Sequence, residues 1–116
     1  MPAPEGDLLH EWLRQSAARS PDAIAVIEEE RSLTFADLLA QAESLALRFA
    51  ACGIRPRDRI ALALPKNTEA IVAVFAALLA GAIYVPLHPR WPRERIETVV
   101  KECGARLLIV SAVSAK

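Results

Sequence analysis

The chain has 116 residues, a length that fits one domain and lets a chain bury roughly two-thirds of its unfolded surface. Hydrophobic residues make up 53% and charged residues 24%, with 14 basic residues against 14 acidic ones. That balance excludes a basic field for nucleic acid and a basic amphipathic helix for a membrane surface.

The opening run MPAPEGD has neither a basic n-region nor an apolar h-region, so it does not read as a signal peptide. Residues 7–19 are predicted helical. Leu8, Leu9, Trp12, Leu13 and Ser16 or Ala17 fall on one face, Asp7 stands at the N-cap, and Ser20-Pro21 ends the run. His10 is placed on the polar side of this helix. A strand is predicted over 23–27, a solvated charged turn over 28–31, and a short returning arm over 33–35.

The second helix starts at Thr34, which has capping-box spacing to Asp37. Leu38, Ala42, Leu45 and Phe49 form its apolar stripe, and Cys52-Gly53 closes it. From here strands and helices alternate. Residues 59–64 are predicted as a strand stopped by Pro65, and Thr68 as the cap of a helix running to Ala80. That helix is apolar almost all round, which predicts burial on most sides.

Residues 70–87 form an 18-residue stretch without a charge, long enough to raise a membrane span. Gly81 in its middle and the β-favouring Ile83-Tyr84-Val85 run argue instead for a buried helix, a turn and a strand over 83–87. Pro92 is expected at the first position of the last helix, with Ile96, Val99, Val100 and Cys103 on its apolar face. Gly104 ends it, and residues 107–110 are the third apolar strand.

Three apolar strands joined by two crossover helices make two consecutive βαβ units, whose strands pair in parallel with right-handed crossovers. The expected fold class is α/β: a partial parallel sheet flanked by helices, preceded by a helix and a short β-hairpin. The sequence stops where a further unit is expected, so the chain reads as part of a larger domain.

Few residues carry chemistry. No GxGxxG or GxxxxGK[ST] run occurs, and Gly53, Gly81 and Gly104 each follow a helix and read as caps. No serine sits in a nucleophile elbow. His88 follows the second parallel strand, and Lys66 and Asn67 follow the first. Loops at these strand ends carry ligands in open α/β sheets, but each residue also reads as an ordinary turn position. Cys52 and Cys103 have no metal-ligand spacing and are expected as buried free thiols in a reducing cytoplasm. Trp12 and Trp91 are expected to pack.

Leu33-Thr34-Phe35-Ala36-Asp37-Leu38 resembles the first core motif of the adenylate-forming (AMP-binding) superfamily, usually L-[TS]-Y-x-[ED]-L. Residues 79–87, LAGAIYVPL, resemble the second, usually LKAGxAYVPLD. Residues 17–26 are similar to the lead-in AAR-x-PDA-x-AV, and residues 92–96 to the P-x-ERI that follows the second motif. The likeness covers nearly the whole chain.

The resemblance implies an enzyme that binds ATP with Mg2+ and lets a carboxylate attack the α-phosphate, giving an acyl-adenylate and pyrophosphate. The thiol of a pantetheine, on a carrier protein or CoA, then takes the acyl group. Peptide-synthetase adenylation domains and acyl-CoA or acyl-carrier-protein ligases share this scheme. Residues 1–116 match the N-terminal part of the large domain, where both motifs are structural. The phosphate loop and C-terminal domain match nothing here. No residue is therefore assigned a catalytic, cofactor-binding or metal role, and Lys101 and Lys116 match no catalytic motif. Leu79 stands where many members have Lys, and His88 where peptide-synthetase domains often have Asp. These departures, with the 64–66 and 101–109 passages, tilt the resemblance toward free-standing ligases. The expected partners are the rest of the ligase and a carrier protein or CoA. The alternatives are a non-catalytic interaction fragment and a small flavodoxin-like binding domain, for which no ligand loop is found.

Overall fold

A computed structural model describes residues 9–28 and 31–111. The proposed Asp7 cap, Leu8 and Lys116 lie outside them. The elements, in chain order, are α1 (Leu9–Arg19), β1 (Ile24–Glu28), β2 (Arg31–Thr34), α2 (Phe35–Ala51), β3 (Arg59–Ala63), α3 (Thr68–Leu79), β4 (Ile83–Pro86), α4 (Arg93–Cys103) and β5 (Leu107–Val110).

β1 and β2 form an antiparallel hairpin, and the other strands form a parallel sheet in the order β4-β3-β5. Ile60 sits between Tyr84 and Leu107, and Leu62 between Pro86 and Ile109. The chain thus crosses from β3 to one neighbour through α3. It returns past β3 through α4 to the other side.

Side-chain alternation along β3 sorts the two faces. Ile60 and Leu62 join Ala42, Phe49, Ala73, Ala76 and Ala77 in the main core under α2 and α3. Ala61 and Ala63 point the other way, where Val85, Trp91, Ile96, Val99 and Val100 cover them. All four β3 residues from Ile60 to Ala63 are buried, as a central strand covered on both faces requires. The small side chains of Ala73, Ala76 and Ala77 let α3 lie close to the sheet. Only Glu69 and Ile71 of α3 are exposed, in line with its all-round apolar sequence.

A third cluster joins Leu13 of α1, Leu33 of β2, Leu38 of α2 and Val72 of α3. Trp12 meets Phe35 edge-to-face at 5.9 Å, a packing role as expected. Trp91 is half-buried, and the guanidinium of Arg95 lies 4.1 Å above its ring.

Turn chemistry accounts for the boundaries. Thr34 and Asp37 form the predicted capping box on α2. Gly104 caps α4 with φ +70, and Gly81 turns at φ +73 beside Pro56, whose Cβ would lie 3.5 Å from a side chain there.

Several expectations are corrected. Asn67, not Thr68, is the N-cap of α3, its side chain accepting from the Ala70 N–H. Pro92 is the cap residue of α4 rather than its first helical position. Cys52 is exposed, because it lies past the apolar stripe of α2, and Cys103 is half-buried. His10, placed on the polar side of α1, is half-buried, and its buried Nδ1 has no partner among the described residues.

Candidate functional site

In open α/β sheets the carboxyl ends of parallel strands are where ligands gather. Here that edge is formed by Leu64 to Asn67 after β3, Leu87 and His88 after β4, and Ser111 after β5. A groove of about 530 Å³ opens on it, between Leu64, Asn67, Ile109, Val110 and Ser111, with Arg31, Gln41 and Glu69 at its rim. A second groove of about 450 Å³ lies on the other flank of α3. Leu9, Val26, Ile27, Ile71, Val74 and Phe75 give it apolar walls, and Glu28 and Lys66 stand among them.

The sequence-singled residues separate at this edge. His88 is exposed and serves its own turn: Nδ1 accepts from the Arg90 N–H at 3.1 Å, and its carbonyl from the Trp91 N–H. Lys66 and Asn67 sit together at the start of α3. Lys66 is exposed and Asn67 is committed to its cap.

The residue that sequence reasoning missed is Glu28, which stands in the predicted solvated turn. Its Oε1 accepts the Thr68 backbone N–H at 2.8 Å and the Thr68 hydroxyl at 3.0 Å. The Thr68 N–H bond foremost, then the hydroxyl, holds the Glu28 carboxyl below its usual value of 4.5. Arg31 adds a smaller effect in the same direction, and desolvation opposes it. Arg31 pairs in turn with Glu69 at 3.0 Å. Nothing local in the sequence marks a contact that spans 40 positions.

Two N-terminal donors of α3 are taken by the chain's own side chains, the Thr68 N–H by Glu28 and the Ala70 N–H by Asn67. A phosphate there would have to displace a carboxylate. Among the described residues no group of three or more His, Cys, Asp or Glu is placed to hold a metal ion. None of the described helices is long and apolar enough to cross a membrane.

A model of the AMP-binding enzyme family matches residues 13–116. The chain belongs to that family. Among its relatives, the phosphinothricin tripeptide synthetase PhsC of Streptomyces viridochromogenes is 44% identical over 101 residues, covering 87% of this chain and 9% of that protein. The synthetase AmbB of Pseudomonas aeruginosa is 34% identical over 95% of this chain and likewise 9% of its own length. The chain thus spans about a tenth of these relatives.

Solved members of the family share the fold. The O-succinylbenzoate coenzyme A synthetase of Bacillus subtilis, in complex with AMP, superposes with a TM-score of 0.81 at 30% identity. The match covers 88% of this chain and 27% of that one. The N-terminal subdomain of NpsA from Klebsiella oxytoca, bound to anthranilyl-AMSN, gives 0.82 at 27% identity over 90% and 27%. Both motif-like stretches lie within the residues that the AMP-binding family model matches. One contributes the α2 capping box, and the other the α3–β4 turn and strand β4.

Proposed function

We propose that residues 1–116 are the N-terminal part of the large domain of an AMP-forming carboxylate-activating ligase. The complete enzyme joins a carboxylic acid to ATP with Mg2+, releases pyrophosphate, and passes the acyl group to a pantetheine thiol of a carrier protein or CoA. The observation that carries this reading is the family match laid over a parallel sheet of three strands, in which both β4 and β5 are edges. Unpaired strand edges invite further strands. On the outer strands, Ile83, Tyr84, Leu108 and Val110 remain exposed, as expected of a body that further chain covers.

In this reading no residue of the segment is catalytic. Glu28, Asn67 and Thr68 hold the α3 start in place, and nucleotide and magnesium contacts come from the rest of the ligase. The peptide synthetases among the relatives favour a carrier-protein thiol, and the coenzyme A synthetase among the structures favours CoA. An artificially fused adenylation–PCP protein of Klebsiella oxytoca, matched at a TM-score of 0.82, makes a carrier protein a natural partner to try.

The test is pyrophosphate release from ATP across a panel of carboxylic acids. The chain alone should give none, and turnover by the chain alone would overturn the reading. The second reading, a non-catalytic interaction fragment, is favoured by the same open edges. Affinity capture separates the two: a ligase remainder as partner supports the first, an unrelated protein the second.

A further inference from the structure

We infer that the distal half of the β1–β2 hairpin is a carboxylate latch on α3, released when Glu28 is protonated, and that its release opens the groove between β1 and α3.

The two strand ends flanking the hairpin turn grip the same helix turn. Glu28, the last residue of β1, takes both donors of Thr68, and Arg31, the first of β2, pairs with Glu69. The two grips are unequal. Thr68 is buried to 1% exposure, so while the hairpin is closed its N–H and hydroxyl are satisfied by Glu28 and not by solvent. The Arg31–Glu69 pair is roughly half exposed on both sides, and such pairs contribute little. Apolar packing does not replace the carboxylate at this end of the hairpin, since Ile27 is 78% exposed. Ala25, Val26 and Leu33, further back, pack on the core and keep the base of the hairpin in place.

Among the described residues, the charged groups near Glu28 are Arg31 on β2, Lys66 ahead of α3, and Glu69 on α3, which Arg31 already engages. From α1 the groove receives only Leu9. The positive end of α3 favours the ionised carboxyl and not the neutral one. Protonation therefore weakens the acceptor on Thr68, the buried tie between hairpin and helix. Val26, Ile27 and Glu28 form one wall of the apolar groove, so motion of this segment changes its width.

Backbone hydrogen exchange on the whole chain, expressed as protection relative to the intrinsic rate at each pH, reads local opening directly. The expected result is a several-fold loss of protection at Ile27, Glu28, Arg31 and Ser32 as pH falls through the Glu28 titration, with Ile60 and Leu62 unchanged. Glu28→Gln should show most of the loss already at neutral pH, with a smaller further change in acid than the native chain shows. Should that variant fail to fold, Thr68→Val, which removes the hydroxyl donor alone, should give an intermediate loss. Hairpin protection in the native chain that does not vary with pH would overturn the latch. A Glu28→Gln profile that follows the native one would do so equally.

Discussion

Arg59, the first residue of the central strand, donates from its guanidinium to the carbonyl of Cys103 at 2.9 Å, 44 positions along the chain. A cation is thereby set on the last turn of α4, where free carbonyls and the helix dipole favour positive charge. The backbone carbonyl of Arg59 also accepts from Arg106 N–H at 2.8 Å, so one residue fixes both the end of α4 and the start of β5.

Arg59→Met keeps the aliphatic stem and removes the donor. A loss of about 1 kcal/mol is expected, since the bond is exposed and charge-assisted. Denaturant unfolding measures it, and the loss should be largest in exchange protection at the C-terminal turn of α4.

Ala76 is fully buried against the main core. Ala76→Leu has no space to fill and should destabilise by about 1–3 kcal/mol or more. Ile60→Ala, at the centre of the sheet, should cost about 2–5 kcal/mol by leaving a cavity. Thermal unfolding of both variants should show clear losses. An unchanged midpoint for Ala76→Leu would mean that α3 does not lie against the sheet as described.

The cap assignments on α3 and α2 predict matched effects. Asn67→Ala should cost about 1 kcal/mol, the usual value of a lost N-cap. Thr34→Ala should cost a similar amount, of about 1 kcal/mol, through the α2 capping box. Circular dichroism with denaturant unfolding compares the two.

The folded pKa of Glu28 is depressed, so its contribution to stability is present above the unfolded value, near 4.5, and is lost as pH falls through the lower folded value. Glu28→Gln should therefore be less stable than the native chain at neutral pH, and the difference should close in acid. Unfolding curves at a series of pH values check this. A difference that widens in acid contradicts the assignment.

Strand positions were legible because burial on both faces leaves short apolar runs between turn residues. The last strand matches its predicted bounds, Leu107–Val110, and the central strand ends one residue before its expected limit. The strand order β4-β3-β5 was not legible. It depends on which side of β3 the second crossover returns, and no local periodicity carries that. At the start of α3 two adjacent cap-forming residues competed. The choice of Asn67 over Thr68 is tied to Glu28, which comes from another element and occupies Thr68. The exposure of Cys52 was hidden because cysteine counts as apolar by type, while its position beyond the α2 stripe decides its burial. Of the candidate site, sequence located the strand-end loops and missed the carboxylate that fastens one of them.

The central claim is that this chain is one part of a carboxylate-activating ligase and works only when joined to the rest. Carboxylate-dependent ATP–pyrophosphate exchange, measured for the chain alone and after adding the separately expressed remainder of its ligase, tests this most directly. The predicted result is no exchange from either part and exchange from the mixture. Exchange by the chain alone, or a remainder fully active without it, would contradict the account.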